Sequence, residues 1–122
     1  NQDWNVVLEN RKQGNFQIAR NGWIADYNDP CSFLDMWYTD GGNNDAQYSN
    51  PDYDAAIDAA KATSDPAERM KAFHEAEDLL IGQDSVLAPL SFYTQPYMLN
   101  PDIDGMYYTP LGYFFFGYTT KK

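Results

Sequence analysis

Residues 19–33 read ARNGWIADYNDPCSF, and the course of the chain through them decides the fold. The five residues before Asn21, FQIAR at 16–20, alternate apolar and polar side chains, the period of a half-buried strand. That run ends at Gly22. Trp23, Asp26 and Tyr27 follow, and the chain turns at Asn28-Asp29-Pro30. Proline fits the first turn of a helix and an aspartate before it fits the cap. The spacing predicts a short helix over CSFLDMWY, 31–38, with Phe33, Leu34 and Trp37 on one face.

Upstream, DWNVVLENRKQ at 3–13 reads as a helix with Trp4, Val7, Leu8 and Arg11 stacked on one side, stopped by Gly14-Asn15. Helix, tight turn and strand make the back half of a βαβ unit. Its front strand is missing, so the chain is expected to begin inside a larger fold. No basic start or apolar leader precedes the helix, as in a mature protein or an internal piece.

Downstream, TDGGNNDAQYSN at 39–50 reads as a long loop, functional or mobile by its length. Asn50-Pro51 opens a helix over 51–62 that buries Tyr53, Ala56, Ile57 and Ala60. Asp65-Pro66 opens another within 64–82, with Glu68 completing a capping box, Met70, Phe73, Ala76 and Leu80 inward, and Gly82 at its end. The two form an αα-hairpin. VLAPLSFY at 86–93 reads as a strand that Pro89 confines to an edge. Beyond Thr94 come three more prolines and the cluster GYFFFGY at 112–118, an irregular aromatic tail. Phe114-Phe115-Phe116 would form a poorly covered apolar patch in an isolated chain, which is expected to self-associate.

A net charge of −10 argues against a nucleic-acid partner and against an anionic membrane surface. Aromatic side chains make up 16% of the chain, and ten of them are tyrosines, a composition suited to ligand-facing walls. No apolar run approaches the roughly 20 residues of a membrane span. Cys31 is the one cysteine, without a zinc pattern, and pairs with His74 only in a remote catalytic reading. Asp40, Asn43 and Asp45 have the composition of a calcium loop without its spacing. Asp26 and Asp29 could form a glycosidase pair, although Asp29 is better explained by the turn. The sequence points to no metal and no cofactor.

Arg20, Trp23 and Asp26 place a cation, a flat wall and an anion within seven residues, a set that suits a zwitterion. Gly22 lets a ligand backbone approach. The competing reading is local: Trp23 in the core and Asp26 paired with Arg20.

Beyond these readings, the chain resembles a family. Gly22-Trp23-x-Ala25-Asp26-Tyr27-x-x-Pro30, Asn50-Pro51-x-Tyr53-Asp54, and Ala76-Glu77 before Leu79-Leu80 are similar to the C-terminal part of extracytoplasmic solute-binding proteins of the oligopeptide class, which feed ABC importers. The resemblance runs in order along nearly the whole chain and loosens after Phe92, where Gly105 still matches. It implies an α/β fold: part of lobe II of a two-lobed periplasmic-binding-protein-like clamp (type II, cluster C), helices packed on a small mixed sheet, with residues 1–91 in the second, ligand-binding lobe. Residues 92–122 would be a tail returning to a first lobe absent here. It implies a non-enzymatic protein, free in a periplasm or lipid-anchored, whose partners are an oligopeptide, the importer's permease subunits and the missing N-terminal lobe. Asp26 would receive the peptide's α-ammonium group and Trp23 would line the site. Main-chain groups around Gly22 and Ile24 would pair with the extended ligand, Asn21 would belong to the same ligand-binding set, and Arg20 would meet a carboxylate in some members. Arg11 matches a family arginine. Some relatives carry a cysteine beside the tryptophan; here that position is Ile24, so no disulfide carries over. An oligosaccharide-binding lobe and a freestanding interaction module remain as alternatives.

Overall fold

A computed structural model describes residues 2–122. Its contacts divide the chain into two compact units, one ending at Ala88 and one beginning at Pro89.

In the first unit, α1 spans Trp4–Lys12. Asp3 caps it by accepting the Asn5 N–H, and Gly14 stops it in the left-handed region, at φ +69°. The Gly14 and Asn15 N–H groups return to the Arg11 and Asn10 carbonyls, a Schellman closure that needs this backbone conformation. Val7, Leu8 and Arg11 are half-buried, but Trp4 is exposed. A short helix, α2, covers Cys31–Leu34 and tightens into a 3-10 turn over Asp35–Trp37. Asp29 does cap its start, accepting the Cys31 N–H at 2.9 Å.

The helical hairpin forms the centre of this unit. α3 spans Pro51–Ala62 and α4 spans Pro66–Glu77. Asn50 accepts from Asp52 and Tyr53, and Asp65 from Ala67 and Glu68, so both helices start where their caps dictate. The Tyr53, Ala56, Ile57 and Ala60 stripe is buried as expected. The α4 stripe differs: Phe73, Ala76 and Leu80 are buried, but so is Ala72, while Met70 is 45% exposed. The half-buried Arg69 beside it reaches toward α3 instead. Its Nε donates to the Ala60 carbonyl at 3.2 Å, and its guanidinium lies 4.7 Å from the Phe73 ring. Nor is the capping box at Glu68 reciprocal. The Asp65 N–H donates to the Thr63 hydroxyl, which donates to Glu68. α4 widens into a π-turn over Asp78–Gln83 rather than ending at Gly82, and the left-handed residue is Ser85, at φ +52°.

The expected strands at 16–20 and 86–93, and the mixed sheet they would build, are not formed among the described residues. A strand is held by its neighbour's ladder, and neither segment has one; Ile18, Leu90 and Phe92 stand almost fully exposed. Pro89 also removes a donor.

The sheets lie in the second unit. Four two-residue strands are β1 (Ile103–Asp104), β2 (Tyr107–Tyr108), β3 (Phe114–Phe115) and β4 (Thr120–Lys121). They pair antiparallel, β1 with β4 and β2 with β3. Register places Tyr107 against Phe115, rings stacked 4.8 Å apart, and Tyr108 against Phe114. Helices and short sheets thus give an α/β chain. Among the described residues no helix is long and apolar enough to cross a membrane.

Candidate ligand-binding site

Between α1 and α2 the chain from Asn21 to Tyr27 crosses the first unit in irregular conformation. Trp23 is half-buried and packs against the hairpin core. Its enclosed indole N–H has no acceptor among the described residues. Trp23 forms the common wall of two concavities. The larger, about 820 Å³, is lined by Arg20, Asn21 and Gly22 together with Arg11 and Asp45. The smaller, about 390 Å³, is lined by Asp26 with Tyr27, Asp35, Tyr38 and Lys61. Of the six residues singled out in the sequence, Ile24 alone lines neither, and its side chain is exposed.

Asp26 is exposed. Its carboxylate accepts no hydrogen bond and joins no ion pair among the described residues, so the local alternative of an Asp26–Arg20 pair is not formed. Only its main chain is tied, the N–H donating to Ser32 Oγ at 2.8 Å. The main-chain groups of Trp23, Ile24 and Ala25 make no hydrogen bond among the described residues. The Gly22 N–H is not open in the same way. It donates to Asn21 Oδ1 at 2.8 Å.

Neighbouring charges are engaged. Arg11 pairs with Asp45 at 2.5 Å and donates to Asn21 Oδ1 at 3.0 Å, pinning the 39–50 loop and the Asn21 turn to α1. Asp45 is thus an ion-pair partner, and no cluster among the described residues is arranged to hold a metal. The buried Asn44 closes the loop by bonding the Tyr48 N–H and the Tyr38 and Tyr48 carbonyls. Asp29 is clamped by Arg69, whose hydrogen bonds hold its carboxyl below the usual carboxylate range. Asp29 is therefore committed to structure and leaves Asp26 without a glycosidase partner. Cys31 is buried in the core, whereas His74 lies on the exposed side of α4. On the smaller cavity's rim Lys61 pairs with Asp35, which raises the lysine's pKa. Sequence reasoning missed Asp35, Lys61 and Arg69, because each pairs across 26 to 40 residues.

An open carboxylate beside an aromatic wall, with unpaired main chain between them, can accept an ammonium group and the amides behind it.

No family model matches the chain. It is 36% identical over 105 residues to the periplasmic oligopeptide-binding protein OppA of Haemophilus influenzae, covering 86% of this chain and 19% of that protein. The chain thus spans about a fifth of the length of that curated relative. Among solved structures it matches the unliganded open form of the periplasmic murein tripeptide-binding protein MppA with a TM-score of 0.67 and 30% identity, over 70% of this chain and 16% of that one. It also matches the peptide-binding protein of a peptide ABC transporter with a TM-score of 0.60 and 33% identity, over 67% of this chain and 37% of that one. The chain belongs, as a segment, to the family of extracytoplasmic solute-binding proteins of the oligopeptide and dipeptide class.

Proposed function

We propose that this chain forms part of the ligand-binding lobe of a protein that captures oligopeptides outside the cytoplasm and delivers them to an ABC importer. The work is binding, not turnover; ATP hydrolysis belongs to other subunits. Asp26 receives the peptide's α-ammonium group, Trp23 forms the wall beside it, and the unpaired main chain at Trp23–Ala25 bonds the peptide backbone as an added strand would. Arg20, on the larger groove, meets a ligand carboxylate. The observation that carries this reading is the exposed Asp26 carboxylate, without a partner among the described residues, at the edge of a cavity. A carboxylate enclosed without a partner is unfavourable, and a ligand ammonium group neutralises it. The peptide-binding names of the relatives point the same way.

Residues 1–91 belong in this reading to the second lobe, and 92–122 return to the first. The exposed Phe115, Phe116 and Tyr118 are covered there by the rest of the protein. A thermal-shift panel on the intact protein tests the assignment. Short peptides with free amino termini should raise the melting temperature and oligosaccharides should not. Stabilisation by oligosaccharides alone would replace the peptide reading with a sugar-binding one.

A further inference from the structure

Among the described residues nothing holds the Asp26 carboxylate, yet a charged group that must meet an ammonium benefits from a fixed position. Binding then costs less conformational freedom. The hydrogen bonds around Asp26 trace how that position is set. Its N–H donates to Ser32 Oγ at 2.8 Å, and Ser32 is buried at the start of α2. The start of α2 is in turn held by Asp29, whose Oδ1 accepts the Cys31 N–H and whose carbonyl accepts the Ser32 N–H at 3.1 Å. Asp29 is gripped from α4 by Arg69, through Nη1 to Oδ2 at 2.6 Å and Nη2 to Oδ1 at 2.8 Å. Arg69 is fixed at its other side by the Ala60 carbonyl on α3 and by the Phe73 ring. The helical hairpin, the best-packed part of the unit, is thereby connected to Asp26 by an unbroken series of hydrogen bonds.

We infer that Arg69 is a positioning residue for ammonium recognition: its clamp on Asp29 sets, through Ser32, where the Asp26 carboxylate stands. Arg69 lines neither concavity, so it acts without touching the ligand. The planar fork matters. Two parallel bonds to one carboxylate and a third to a carbonyl define an orientation that the single point charge of lysine does not. The inference rests on the assignment of Asp26 to the ligand's amino group and adds to it the device that makes that contact selective.

The test uses the intact protein, with trialanine and N-acetyl-trialanine as probes, and reads the ratio of their dissociation constants by calorimetry. In the unaltered protein the acetylated peptide should bind about tenfold more weakly or worse. Arg69→Gln should shrink that ratio by roughly threefold or more and leave the acetylated peptide within about twofold of its original affinity. Arg69→Lys should restore it only in part. Ser32→Ala cuts the last link while leaving the Arg69–Asp29 pair in place, and it should shrink the ratio in the same way even if Arg69→Gln fails to fold. A loss shared equally by both probes, or an unchanged ratio in Arg69→Gln and Ser32→Ala, would overturn the positioning role and leave the Asp26 assignment standing. A ratio near one in the unaltered protein would remove the Asp26 assignment itself, and the inference with it.

Discussion

Arg69 and Asp29, 40 residues apart, meet in a two-pronged ion pair of 2.6 and 2.8 Å that ties the turn before α2 to the helical hairpin. The pair is partly shielded, and Asp29 also accepts the Cys31 N–H. Its carboxyl is held below the ordinary range, chiefly by the Arg69 hydrogen bonds. A folded-state pKa that is depressed contributes stability at pH values above the unfolded pKa, about 4 for aspartate, and loses it as pH falls through the lower folded value. Melting curves recorded from pH 6 to pH 2 should show the unaltered protein losing its advantage over Asp29→Asn below about pH 4. Parallel curves across that range would show that the pair adds nothing.

Tyr53 offers a second test. Its ring is fully buried on α3, and its hydroxyl donates to the Leu34 carbonyl at 2.5 Å, joining α2 to the hairpin. Burial raises its pKa, so the neutral phenol is the form the core holds. Tyr53→Phe keeps the ring and removes this hydrogen bond, at a cost of about 0.5–1.5 kcal/mol. Urea denaturation of the two proteins measures it, and equal midpoints would refute the bond's contribution.

Tyr48 should respond to alkali. Burial, and then its hydrogen bond to Asp84, push its phenol up to about 12. A raised folded-state pKa means that the contribution is complete below the unfolded value, about 10, and is lost as pH rises through the folded one. The stability gap between the unaltered protein and Tyr48→Phe should therefore narrow between about pH 10 and 12. A gap constant over that interval would contradict the shift.

In the second unit, Gly105 sits at φ +77°, and a Cβ there would stand 2.0 Å from the Tyr118 carbonyl oxygen. Gly105→Ala must break the approach of β1 to β4, at a cost on the order of 1–3 kcal/mol or more. Amide exchange at Ile103–Asp104 and Thr120–Lys121 should accelerate while the α3–α4 hairpin keeps its protection. Unchanged exchange at those strands would show that the backbone accommodates the methyl group.

Much of the hairpin was legible because its signals are local. Asn50-Pro51 and Asp65-Pro66 carry their own caps, and Tyr53, Ala56, Ile57 and Ala60 recur at the helical period. The strands expected at 16–20 and 86–93 are absent among the described residues for the converse reason. FQIAR has the alternation of a strand, but pairing is supplied by a neighbour, and alternation alone cannot show that one is present. Helical spacing points Met70 inward, but Arg69 beside it has a carboxylate, a carbonyl and a ring to meet, and Met70 is left exposed. At the site, residue type and spacing drew attention to Asp26 and Trp23. The grip on Asp29 and the Arg11–Asp45 pair left no trace, since each joins segments more than 30 residues apart.

Calorimetry on the intact protein, crossing Asp26→Ala with acetylation of the peptide's amino terminus, tests the central claim most directly. Either change alone should weaken binding by about tenfold or more, in line with a charge-assisted hydrogen bond of about 1.5–3 kcal/mol, and the second change should then cost little further. Free and acetylated peptides bound equally well by the unaltered protein would contradict the account.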